Sequence, residues 1–93
     1  MRVLIAEHAA KQIKKLDQPL KDRLKKAVIH ISENPSIGKF LEDELKGLQS
    51  YRFSKYRIIY QFQKKEDVLY VVWFGHRADV YDEVEKALKD HRS

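Results

Sequence analysis

The order of apolar positions along this chain changes character at Pro35. Before it the spacing is helical. From about Glu7 to Leu16, Ala9 or Ala10, Ile13 and Leu16 recur with Lys11, Lys14 and Lys15 between them, and from Pro19 to about Ser32, Leu20, Leu24, Ala27, Val28 and Ile31 form one stripe. Asp17 is placed to cap the second helix, Pro19 suits its first turn, and Asn34-Pro35 ends it, because the residue before a proline is pushed out of helical geometry. After Pro35 the period is two. Tyr51 and Phe53 alternate with Arg52 and Ser54, and Tyr56, Ile58, Tyr60 and Phe62 alternate with Arg57, Ile59 and Gln61. Lys64-Lys65-Glu66-Asp67 reads as a charged turn, and the unbroken apolar run from Val68 to Phe74 suits a strand covered on both faces. Val3 to Ile5 is a further short β-prone run, and Val80, Val84, Ala87 and Leu88 lie on one side of a short C-terminal helix from about Val80 to Lys89. The expected fold is α+β: two N-terminal helices packed on a small antiparallel sheet whose last three strands form a meander, with Trp73, Tyr56 and Tyr60 in its core.

Composition narrows this to one domain spanning residues 1–93, large enough for one modest core and too small for two. The absence of cysteine excludes disulfides and thiolate metal sites and fits a reducing compartment. The apolar run near Met1 is too short for a signal peptide, and no segment reaches the roughly 18 apolar residues of a membrane span, so a cytoplasmic protein without membrane contact is expected. The formal net charge is +5, and its distribution matters more than its size. No acidic residue occurs between Glu44 and Glu66, whereas that window holds Lys46, Arg52, Lys55, Arg57, Lys64 and Lys65. Such a strip suits a phosphate backbone or an acidic protein partner. Lys46, Arg52 and Lys55 are the candidate nucleic-acid contacts within it, and Lys64 and Lys65 read as a solvated turn.

Familiar catalytic signatures are missing. There is no glycine-rich phosphate loop, no HExxH and no serine in a nucleophile elbow, and His8, His30, His76 and His91 are not at metal-ligand spacings. Neither a metal nor an organic cofactor is expected. The informative stretch runs from Leu45-Lys-Gly through Tyr51-Arg and Tyr56-Arg-Ile-Ile-Tyr60 to Gly75-His-Arg77 and Val80-Tyr81. These elements, in this order and at these distances, resemble the RelE/ParE superfamily of toxins from type II toxin–antitoxin systems, and the resemblance covers almost the whole chain.

The resemblance implies an mRNA interferase that cleaves mRNA in the ribosome without a metal. In that chemistry the 2′-hydroxyl attacks the adjacent phosphorus, leaving a cyclic phosphate and a free 5′-hydroxyl. It needs charge stabilisation at the phosphate, a base near the 2′-oxygen and an acid at the leaving oxygen. Arg57 and Arg77 match the arginines that neutralise the scissile phosphate, a task suited to the planar, permanently charged guanidinium. Tyr81 matches a tyrosine that stacks on a base and takes part in proton transfer, and Arg52 falls where the family carries a basic residue on the preceding strand. The sequence departs from the pattern two positions on, where relatives carry a second basic residue proposed as general acid and this chain has Ser54; the loop between these strands is also short. Lys55 and His76 are the candidate substitutes, histidine being the side-chain type that exchanges protons near neutrality. The implied partners are a cognate antitoxin that folds on binding, the ribosome with its mRNA, and operator DNA reached through the antitoxin. A ParE-like poison of DNA gyrase and an inactive RelE-fold binding protein are the alternatives.

Overall fold

The computed structural model describes residues Met1–His76, apart from the Glu44 side chain. The C-terminal helix expected from Val80, together with Arg77 and Tyr81, lies outside the described residues. Within them the chain runs β1 (Arg2–Ile5), α1 (Glu7–Lys14), α2 (Gln18–Glu33), β2 (Lys39–Phe40), β3 (Gln49–Phe53), β4 (Tyr56–Gln63) and β5 (Val68–His76). The strands form one sheet in the order β1-β5-β4-β3-β2.

The second helix starts and stops for the reasons the sequence offers. Asp17 holds extended geometry and its carboxylate accepts from the Leu20 N–H at 3.0 Å, capping α2 with Pro19 in the first turn. Asn34, at φ −147°, ends the same helix immediately before Pro35. Ala9 of α1 and Leu24, Ala27 and Ile31 of α2 are buried against Phe53, Ile58, Tyr60, Leu69, Val71 and Phe74 of the sheet. This is the main core, and burial of such side chains is worth roughly 1.5–3 kcal/mol each for the larger ones.

The meander of β3, β4 and β5 is antiparallel, as its alternation predicts. The sheet as a whole is mixed, which corrects the expectation of an antiparallel one. β1 pairs parallel to β5, with Arg2 opposite Val68 and Ile5 opposite Val71. Period-two alternation identifies faces but carries no information on strand direction. Here direction follows from the crossover: β1 leads straight into the helices, which cover one face before the chain returns as the meander. The Arg2 N–H donates to the Asp67 carbonyl at 3.1 Å and the Ala6 N–H to Val71 at 2.9 Å, so the pairing is fastened at both ends.

A bulge explains the unbroken apolar run of β5. Ile59 pairs with Trp73 and Tyr60 with Val71, leaving Val72 as an extra residue on β5. The insertion reverses the alternation, so Val71 faces the helices while Trp73 faces the other side. There Trp73 and Ile59 are fully buried under Leu41, Leu45 and Leu48, which belong to the arm joining β2 to β3. The strand is covered on both faces by different parts of the chain.

One buried polar cluster joins the helical layer to this arm. The Tyr60 hydroxyl donates to the Pro35 carbonyl at 2.6 Å and accepts from the Gly38 N–H at 2.9 Å. The Gln49 side-chain amide donates to the carbonyls of Pro35 at 2.8 Å and Gly38 at 3.1 Å. Gly38 is required here, because a β-carbon would stand 2.3 Å from the Tyr60 hydroxyl oxygen.

Tyr60→Phe should lower the unfolding free energy by about 1–3 kcal/mol in urea titrations, since it strands the buried Gly38 N–H. The same comparison carries a pH signature. Burial raises the Tyr60 phenol above its usual 10.0, opposed by the Gly38 hydrogen bond and reinforced by Tyr51. The unfolded chain therefore ionises this group at lower pH than the folded one. Its contribution is intact below pH 10.0 and is lost as pH rises through the folded value, so native stability should fall more steeply there than that of Tyr60→Phe.

Candidate functional site

The face of the sheet opposite the helices divides in two. Its inner part is closed by Leu41, Leu45 and Leu48 over Ile59 and Trp73. The part nearer the β3–β4 turn carries polar side chains. Arg52 and Arg57 are direct cross-strand partners, so both project from this face, and Arg57 is in turn level with Gly75 on β5. A two-residue turn, Ser54-Lys55, sets this register by making Phe53 and Tyr56 the closing pair. Ser54 adopts φ +54°, in the left-handed region that non-glycine residues seldom occupy.

Arg52 is exposed and Arg57 half-buried. The Arg57 Nη1 donates to the hydroxyl of Ser50 at 2.9 Å, a serine only 4% exposed on the neighbouring strand. The ion pairs among the described residues are Met1 with Asp67 and Glu7 with Lys11, both away from this face. No described carboxylate therefore offsets the two guanidinium charges. Like charges directly opposite on a sheet repel, and an anion placed between them removes that repulsion. Planar forks of N–H donors presented side by side suit the paired oxygens of a phosphate.

Trp73 forms the floor next to this pair. It is fully buried, and its indole lies so close over Gly75 that a β-carbon there would come within 2.6 Å of the ring. Its Nε1 is buried without a hydrogen-bond partner among the described residues. Gly75 thus serves two neighbours: it admits the indole and leaves the backbone bare beside Arg57.

The other candidates are distributed differently. Lys46 is exposed on the arm, just after its 3-10 turn Asp43–Leu45. Lys55 sits in the hairpin turn with its Nζ 5.9 Å from the Tyr56 ring centroid. His76 is the register partner of Tyr56 and meets its ring edge-on at 6.0 Å. Tyr56 belongs to the helical face, stacked on Phe74 at 5.2 Å and only half-buried, whereas Trp73 and Tyr60 are fully buried in the core as expected. Lys55 and His76 therefore gather around Tyr56 on the opposite side of the sheet from the arginine pair, at the same end. Lys64 and Lys65 lie in an exposed turn at the far end of β4. Ser50 was not singled out from the sequence. Its side chain becomes informative only once the register sets it diagonally across from Arg57.

A family model described as the ParE-like toxin of type II bacterial toxin–antitoxin systems matches residues 3–85. The chain belongs to this ParE-like toxin family. Among curated relatives, the mRNA interferase toxin RelE of Escherichia coli K12 is 30% identical over 89 residues, covering 88% of this chain and 90% of that protein. The isolated E. coli RelE toxin superposes with a TM-score of 0.69 at 26% identity, covering 94% of this chain and 97% of that one. The toxin–antitoxin complex RelBE2 of Mycobacterium tuberculosis gives a TM-score of 0.74 at 24% identity over 82% of this chain and 96% of its counterpart. The protein is a RelE-like toxin of a type II toxin–antitoxin system. Among its described residues no helix is long and apolar enough to cross a membrane.

Because Trp73 is the single tryptophan of the toxin, its fluorescence reports on this floor alone. Gly75→Ala should shift the emission to longer wavelength and lower stability by about 1–3 kcal/mol, the usual range for overpacking a tight site.

Proposed function

We propose that this toxin is an endoribonuclease that cuts mRNA in the ribosome by attack of a 2′-hydroxyl on the adjacent phosphorus. The observation that carries this reading is the cross-strand pair Arg52–Arg57, projecting from the sheet face beyond the rungs that Leu41, Leu45 and Leu48 cover, with no described carboxylate beside it. The relationship to proteins named mRNA interferase supports it.

In this reading Arg57 and Arg52 hold the non-bridging oxygens of the scissile phosphate, and Arg77, which follows His76 directly in the sequence, adds the third positive charge. As the 2′-oxygen forms its bond to phosphorus, it releases its proton to a base, and the bond from phosphorus to the 5′-oxygen breaks. The leaving oxygen takes up a proton, and negative charge builds on the phosphate oxygens that the guanidinium groups face. Tyr81 stacks on a neighbouring base. Lys55 or His76 supplies the proton that Ser54 cannot, reaching it from the Tyr56 side of the sheet end. The described face offers charge but no histidine–carboxylate pair, so the orientation of the 2′-hydroxyl in line with its leaving group falls to the ribosome, where positioning alone is worth several powers of ten. Neutralisation belongs to a cognate antitoxin whose acidic side chains occupy the arginine face, in a complex that reaches operator DNA through the antitoxin.

The second reading is a gyrase poison. It is favoured by the description of the matching family as ParE-like and by Ser54 at the position of the missing basic residue. It makes no use of a phosphate-binding pair, which separates the two.

Primer extension on mRNA from cells briefly expressing the native chain should show discrete breaks in frame with codons. Arg57→Ala should reduce them on the order of 100-fold or more while the purified variant keeps its native circular dichroism. Growth arrest by both proteins without breaks would move the target to gyrase.

A further inference from the structure

The Arg57 guanidinium is held at one corner, and what holds it is unusual for a charged group: a neutral serine. Ser50 pairs with Ile59 on β4, two positions along from Arg57, so the long side chain reaches diagonally across β3 and β4 past Arg52 to find it. Ser50 is almost sealed from solvent, whereas Arg57 is half-buried. The hydrogen bond therefore forms at the inner, protected end of the guanidinium. It uses only one of that group's N–H donors, and the remainder have no partner among the described residues.

A carboxylate at position 50 would hold Arg57 more strongly and also cancel its charge. A hydroxyl fixes direction without doing so. The neighbours complete the restraint: Gly75 leaves the backbone bare on one flank, Arg52 repels from the other, and the floor beside them is the fully buried Trp73. An unanchored arginine has many rotamers, and locking one before substrate arrives removes that entropy from the reaction step.

We propose that Ser50 is a positioning residue that fixes the guanidinium of Arg57 for contact with the scissile phosphate, a role that rests on the nuclease reading above. The role is in orienting a fixed positive charge toward the negative charge that develops on the phosphate in the transition state, so it shows in kcat more than in KM. Thr keeps the hydroxyl and Ala removes it.

The test is single-turnover cleavage of mRNA on purified programmed ribosomes by the native toxin, Ser50→Ala, Ser50→Thr, Arg57→Ala and the Ser50→Ala/Arg57→Ala pair. Ser50→Ala should lower the maximal rate on the order of 10- to 100-fold with little change in half-saturating concentration, and Ser50→Thr should recover most of it. In the Arg57→Ala background the Ser50 change should add nothing, because there is no guanidinium left to orient. In parallel, nitrogen-15 spectra should show hindered Arg57 guanidinium rotation in the native toxin and Ser50→Thr, and free rotation in Ser50→Ala. Full activity in Ser50→Ala would overturn the proposal, and so would a Ser50 effect that persists undiminished without Arg57. If the native toxin cuts no mRNA, the nuclease reading fails and the positioning role falls with it, while the guanidinium spectra still decide whether the anchor exists.

Discussion

The Tyr60 hydroxyl is the point on which the layout of this toxin depends. It sits where α2 has ended, the chain has passed Pro35 and the arm toward β3 begins, and it binds both the Pro35 carbonyl and the Gly38 N–H. With Gln49 it satisfies the Pro35 and Gly38 backbone groups of a tight turn that is closed by the Ile37 N–H on the Asn34 carbonyl, which is what allows Gly38 to be buried. From this clasp the arm is sent across the edge of the sheet to lay Leu41, Leu45 and Leu48 on Ile59 and Trp73. Where those leucines end, the uncovered part of the face begins, and the arginine pair stands there.

The division also explains why a small domain tolerates facing arginines. The helices pack on one face of the sheet and the arm covers Ile59 and Trp73 on the other, so apolar burial does not depend on the rungs that carry charge. Repulsion between Arg52 and Arg57 is held in place by strands whose register is fixed elsewhere, by the two-residue turn on one side and by the bulge at Val72 on the other. The buried apolar side chains and the open arginine pair occupy different rungs of the same strands. A fold by itself does not decide activity, which depends on the side chains it presents.

Much of this was legible in the sequence, for reasons that can be named. The helices announce themselves by stripes of apolar residues and by Asp17 and Pro35, all local signals. Strands β3 and β4 are equally plain, because one face of each meets the core and the other does not, and that alternation puts Arg52 and Arg57 on a common side. What the sequence concealed depends on contacts distant along the chain. The parallel seating of β1 beside β5 follows from a crossover. The two-residue β2 is too short to show a period, and the arm's second core is three leucines, Leu41, Leu45 and Leu48, whose helical i, i+4, i+7 spacing gives no hint of an irregular arm. The bulge at Val72 hides inside a run with no alternation to interrupt. Ser50 is the sharpest case, since a serine in a strand carries no signal until the register reveals which arginine it meets. Lys55 and His76 illustrate the converse: closeness in sequence to Arg57 and Arg77 did not predict that both gather around Tyr56 on the helical side.

The central claim, that the open arginine rungs serve attack by a 2′-oxygen, is tested most directly by the chemistry at the cut itself. Purified toxin would be given ribosomes programmed with an mRNA carrying a single 2′-deoxynucleotide at the mapped cleavage position, beside the unmodified message, and the fragments analysed by mass spectrometry. The expected result is cleavage of the unmodified message to a 2′,3′-cyclic phosphate or its 3′-phosphate hydrolysis product with a 5′-hydroxyl on the downstream fragment, and no cleavage at the deoxy position. Equal cutting of both messages, or fragments bearing a 5′-phosphate, would contradict it.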